Sequence, residues 1–167
     1  LKKQFKGEFY ITPSVYQELI EKPLETRKYK FEALQVLPLI SGGVIKTVSS
    51  TEISKKAEEL LQLMNNCFFA GKTPLQIVHR GEIETLACAL MYNADTVAID
   101  ERTTRKFIED PLSIKKNLEK KLGQRITTDS GNLNKVKAII GHLHVIRSFE
   151  LVIIAYELGL LDKYILN

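Results

Sequence analysis

Apolar and polar positions along this 167-residue chain follow two periods, one near 2 and one near 3.6, in alternating short segments. The short apolar runs Phe9–Ile11, Val44–Val48, Thr96–Ile99, Arg125–Thr127 and His144–Ile146 predict strands. Between them lie helical patterns. Thr12 is a suitable N-cap and Pro13 suits the first helical turn, so a helix is expected from Pro13 to Glu21 and stopped by Pro23. A second should run from Leu24 to Leu39 and end at Gly42-Gly43. Ile53, Ala57, Leu60, Leu61 and Met64 mark a long helix from Ser50 or Thr51 to about Phe69. Further helices are expected over Gly81–Asn93, from Arg102 with an interruption at Pro111, over Asn134–Ile140 and over Phe149–Leu161. A turn is expected at Asp129-Ser130-Gly131. Strands alternating with helices predict an α/β fold: a single domain with a mainly parallel central sheet flanked by helices.

Composition narrows the function classes only a little. A hydrophobic share of 44% with 26% charged residues is that of a globular domain, and the net charge of +4 is compatible with a polyanionic partner. Cys67 and Cys88 have no metal-ligand or disulfide spacing and sit in apolar helical contexts, as small buried hydrophobes do. That pattern, with no apolar run of membrane length and no signal-like segment, points to a reducing, cytoplasmic setting without a membrane.

Acids beside apolar elements are the residues whose placement asks for an explanation. The stretch from His79 to Met91 carries Glu82 and Glu84 at the start of a small-residue helix, and Asp100 and Glu101 follow the apolar strand at 96–99. On a helix Glu82 and Glu84 lie about 160° apart, on opposite borders of the stripe Ile83, Leu86, Ala87, Leu90. Glu84 adjoins the small residues Ala87 and Cys88, which leave room for a metal or phosphate, whereas Glu82 also suits the helix dipole. Asp100 stands where parallel strands open onto a ligand crevice, and it would equally cap a following helix. Glu18 lies about 60° from the Val15–Leu19 stripe of the first helix. No Ser/His/Asp or Cys/His arrangement is present, His142-Leu143-His144 is better read as a half-exposed strand than as a metal pair, and Ser41-Gly42-Gly43 lacks the Lys-Ser/Thr of a phosphate loop. Lys115, Lys116, Lys120, Lys121 and Arg125 make the one basic run, opposed by Glu119 alone.

Taken in order, several fragments resemble the PIN-domain family of metal-dependent ribonucleases. Phe9-Tyr10-Ile11-Thr12-Pro13-Ser14-Val15-Tyr16-Gln17-Glu18-Leu19 is similar to a family strand and helix carrying an acid, matched by Glu18. Gly81-Glu82-Ile83-Glu84 is similar to the family's Gly-Glu-x-Glu helix, and Val97–Arg105 to the strand end with the next acidic position, at Asp100 or Glu101. Val145–Phe149 through Leu161 is similar to the closing strand and helix. The resemblance implies Mg2+ or Mn2+ held by Glu18, Glu84 and Asp100, with Glu82 or Glu101 behind them, and water-mediated hydrolysis of an RNA phosphodiester. Arg102, Arg105, Lys115, Lys116, Lys120 and Lys121 would hold the RNA backbone. A protein antitoxin and a homodimer are partners it implies, with a non-catalytic RNA- or protein-binding module as the alternative on the same fold. The family's first acid has no counterpart here; Leu1 in place of Met makes a preceding strand expected upstream. Asp129, at the end of a possible strand in the segment between Arg105 and the closing strand, ranks below Asp100.

Overall fold

Local chemistry sets the element boundaries. In the computed structural model, residues 7–26 and 28–162 are described. They belong to two compact units, one formed by Leu1–Ser50 with Phe149–Asn167 and the other by Thr51–Ser148.

In the first unit, β1 (Phe9–Ile11) runs parallel to β2 (Ile45–Thr47), with Phe9 opposite Ile45 and Ile11 opposite Thr47. Thr12 leaves β1 in extended geometry and starts α1 (Pro13–Tyr16). The helix then widens to a π turn over Gln17–Glu21, closed by the Lys22 N–H donating to the Gln17 carbonyl, and continues as α2 (Lys22–Thr26). Pro23 therefore does not break it, contrary to the sequence expectation. The extra residue in the wide turn displaces the upstream carbonyls that a proline ring would otherwise strike. The helix expected over 24–39 is two pieces, since Tyr29 adopts a left-handed φ of 61° and α3 spans Lys30–Ser41; Arg27 lies outside the described residues.

The end of α3 follows the two glycines as expected. Gly43 sits at φ 71° and donates to the Ile40 carbonyl, while Val44 donates to Leu39. This is the paired closure of a Schellman motif, which turns the chain directly into β2.

The second unit is built on α4 (Thr51–Asn65) packed along α5 (Arg80–Met91). Ile53, Ala57, Leu60 and Met64 are buried at helical spacing, and Ile83, Leu86 and Ala87 are buried on α5. Each fully buried leucine or isoleucine contributes roughly 1.5–3 kcal/mol. Contrary to expectation α4 stops at Asn65, and the β-prone Phe68 and Phe69 enter β3 (Phe68–Ala70). Gly71, at φ 62°, turns β3 back onto β4 (Thr73–Pro74), and β3 also pairs antiparallel with β6 (Ile126–Thr128). Phe68 stacks obliquely on Phe107, 5.9 Å between ring centres.

From α5 the chain enters β5 (Thr96–Ala98), which lies parallel to β7 (His144–Ile146) with Val97 opposite Val145. Between them come α6 (Arg102–Glu109), α7 (Pro111–Leu122), β6 and α8 (Ser130–Ile140). Asp129 caps α8 through the Asn132 N–H at 2.8 Å, so the expected turn at 129–131 is the first turn of a helix. The last helix, α9, spans Ser148–Glu157.

The chain is thus mixed α/β with parallel β1–β2 and β5–β7 pairs. In place of one central sheet the described strands form three small ones, the third being the antiparallel β4–β3–β6. Alternation of strand and helix does not specify which strands become neighbours, and the tight turn at Gly71 yields an antiparallel pair. Among the described residues no helix is long and apolar enough to cross a membrane.

A methyl group added at Gly43 would meet nothing within 4 Å, so the requirement for glycine there is conformational. Gly43→Ala should cost about 1 kcal/mol in denaturant unfolding through the left-handed φ alone. An unchanged midpoint would remove the Schellman closure as a constraint on β2.

Candidate functional site

The acids of the second unit owe their positions to one buried amide. Asn65, 6% exposed at the end of α4, accepts from the Ile77 N–H at 2.8 Å and the Val78 N–H at 3.1 Å, and donates to the Val78 carbonyl at 3.3 Å. It fixes the loop that delivers His79 and α5. Asn65 was no candidate from the sequence, where the only signal is a polar side chain on the buried face of an amphipathic helix.

On α5, Glu84 is buried (8% exposed) and accepts from Arg80 Nε at 3.0 Å, one turn earlier. Arg80 remains largely exposed, so this pair is open to solvent on one side. Glu82 is half-buried, and its Oε2 is shut off from solvent without a hydrogen-bond partner. A buried carboxylate oxygen in that state costs free energy that a hydrogen-bond donor or a cation reaching it would recover.

Asp100 and Glu101 divide the two tasks that sequence could not separate. Glu101 is the cap of α6, accepting from the Thr104 N–H at 2.6 Å. Burial raises its pKa, but the amides and hydroxyls of Thr104 and Thr103 outweigh that and hold it below its ordinary value. Asp100 is exposed beyond the carboxyl end of β5 and accepts from the Ser148 N–H at 3.0 Å, the first residue of α9. The Ser148 hydroxyl and amide, then Arg105 and Arg147, lower its pKa and keep it ionised. Ser148 and Arg147, brought here by the parallel β5–β7 pairing, were not legible as site residues.

The remaining candidates are distributed. Arg102 is exposed on α6, while Arg105 is half-buried, 3.8 Å from Glu109 Oε2, with its Nε buried and without a hydrogen-bond partner. On α7, Lys116, Lys120 and Lys121 are exposed, whereas Lys115 faces Glu119 at 3.9 Å. Glu119 also accepts from the Ile126 N–H, joining α7 to β6. Asp129 serves α8 as its cap. His142 and His144 are both exposed on either side of buried Leu143.

Glu18 belongs to the first unit, exposed on the π turn. Beside that turn is a cavity of about 310 Å³ lined by Ser14, Gln17, Glu21 and Thr47, with Pro13 and Tyr16. It lies at the carboxyl ends of β1 and β2, and its carboxylate is Glu21, not Glu18. Glu21 carried no signal in the sequence because the wide π turn, not an ordinary helix, sets which side chains reach the cavity.

Among the described residues no three His, Cys, Asp or Glu side chains form a group that could hold a metal ion. No family model, curated protein or solved structure matches this chain.

Asn65→Ala should destabilise the protein by roughly 2–4 kcal/mol, because it strands the buried Val78 N–H and carbonyl and the half-buried Ile77 N–H. Chemical denaturation measures this, and a loss under about 0.5 kcal/mol would show that the loop is held otherwise. Burial pushes the Cys67 thiol up to about 12, helped by nearby Asp129, and burial also raises Cys88. Neither thiol should react with a disulfide reagent at pH 8 until the protein is unfolded; rapid labelling of the native protein would contradict their burial.

Proposed function

We propose that this chain is a PIN-like, metal-dependent endoribonuclease that cleaves RNA phosphodiester bonds inside the cell. The observation that carries this reading is Asp100: exposed beyond the carboxyl end of a parallel strand, kept ionised by Ser148, Arg105 and Arg147, and not consumed by capping α6. An open carboxylate at that end of a parallel strand is where α/β proteins bind ligands. Glu82, with its orphaned Oε2, is the second oxygen donor of the same unit.

These donors suit Mg2+ or Mn2+ in kind, being hard carboxylate oxygens. They do not suffice in number, since no three gather among the described residues, and no step is derived through the ion. Glu18 and Glu84 stay in the proposal as acids that the resemblance marks. The exposed Lys116, Lys120 and Arg102 supply charge for an RNA backbone, with Lys121, Lys115 and Arg105 as further cations. A protein antitoxin and a homodimer belong to the same proposal.

A second reading, a non-catalytic RNA- or protein-binding module, is favoured by one specific feature. Glu84 is spent on Arg80 and Glu101 on the cap of α6, which leaves fewer carboxylates for an ion.

One experiment separates the two. The protein is incubated with a fluorescent single-stranded RNA and Mn2+, beside Asp100→Asn, which keeps an acceptor for Ser148 while removing the charge. The nuclease reading expects cleavage that falls by about 100-fold in the variant, with unchanged thermal unfolding. RNA bound in a salt-dependent manner without cleavage would establish the module instead, and equal cleavage by both proteins would take Asp100 out of the site.

A further inference from the structure

The nuclease reading leaves the cavity of the first unit without an occupant. Both of its walls are tied to the same strand end. The Tyr16 N–H donates to the Thr12 carbonyl at 2.9 Å, and the Val48 N–H donates to the Ile11 carbonyl at 2.9 Å. The helix after β1 and the end of β2 are thereby held against each other, and the space of about 310 Å³ between them is preformed. It lies at the carboxyl ends of two parallel strands, where α/β proteins bind their ligands. Part of its lining comes from the π turn Gln17–Glu21, a rare geometry that occurs frequently at functional sites.

The lining selects what can enter. Glu21 is its one charged residue. That side chain is exposed and, among the described residues, makes neither an ion pair nor a hydrogen bond. Ser14, Gln17 and Thr47 bring hydroxyl and amide groups that both donate and accept. Half-buried Tyr16 and the Pro13 ring add apolar surface. Lys46, one residue before Thr47, belongs to the opposite face of β2 and is paired with Glu8.

An anion would therefore meet Glu21 with no lining cation to offset the repulsion. A divalent ion asks for more oxygen ligands and charge than one carboxylate supplies. One carboxylate beside an aromatic ring suits a single ammonium group, which the carboxylate pairs and the ring attracts. The volume is at the lower end for small-molecule sites, which sets a ligand of roughly ten non-hydrogen atoms.

We propose that this cavity binds a small organic amine with one positive charge and an apolar body. Glu21 is its counter-ion, Ser14, Gln17 and Thr47 are its hydrogen-bond partners, and Tyr16 with Pro13 forms its apolar wall. The proposal stands apart from the nuclease reading, because it uses no residue assigned to RNA or metal.

The test titrates the isotopically labelled whole chain with tyramine and follows the backbone amide signals by NMR. Tyrosol, which carries a hydroxyl in place of the ammonium, and para-hydroxyphenylacetate, an anion on the same ring, are the matched probes. Tyramine should shift the signals of Gln17, Glu21 and Thr47 saturably below about 10 mM, and tyrosol should bind at least about tenfold more weakly. The anion should leave those signals unmoved. Glu21→Gln should weaken tyramine to the level of tyrosol, whereas Glu25→Gln, at an exposed acid of α2 outside the lining, should leave binding unchanged. If Glu21→Gln fails to fold, the three probes on the wild-type protein decide alone. No saturable shift with tyramine, or shifts spread over both units, would overturn the site. Equal binding of tyramine and tyrosol, or undiminished binding by Glu21→Gln, would overturn the role of Glu21 and with it the class of ligand.

Discussion

The Thr51–Ser148 unit depends on a single buried amide at the end of its principal helix. Asn65 converts the last turn of α4 into a clamp on Ile77 and Val78, and so sets where α5 begins. Apolar burial between α4 and α5 supplies the bulk of the free energy, but it is non-directional. The three hydrogen bonds supply register, and a buried polar group that is fully satisfied specifies one arrangement at little net cost. Glu82 and Glu84 inherit their surroundings from that register: one carboxylate drawn against Arg80, the other left with an oxygen unanswered.

A second constraint is the division of labour at the end of β5. Two adjacent acids follow the strand, and a helix begins one residue later. The cap requires an acceptor within reach of the Thr104 N–H, and Glu101 takes it. That frees Asp100 to reach across to Ser148, tying the ends of two parallel strands together. The outcome is one structural carboxylate and one exposed, ionised carboxylate side by side.

Much of the fold was legible because local signals were strong. Pro13, Gly42-Gly43 and the helical spacing from Ile53 to Met64 each have a local physical cause, and the corresponding elements start or stop close to where they point, although Thr12, expected as a cap, makes no side-chain cap bond and keeps its hydroxyl buried without a partner. The departures are equally local in cause. Pro23 is tolerated because a π turn precedes it, and α4 ends early because Asn65 has a tertiary use for its side chain. Among the candidate residues, Glu82, Glu84, Asp100 and Glu101 stood out as acids beside apolar segments. Ser148, Arg147 and Glu21 did not, since each gains its place through strand pairing or helix widening.

What the sequence by itself determined is the list of elements, the buried stripes of α4 and α5, and the positions where acids meet apolar structure. These follow from periods of 2 and 3.6 and from turn chemistry, which act over a few residues. The tertiary structure alone decided which strands became neighbours, which acid capped a helix, and which kept a free face. Those outcomes depend on contacts between residues dozens of positions apart, Asp100 with Ser148 being the clearest. Loop closure brings such pairs together at an entropic cost that no local pattern records.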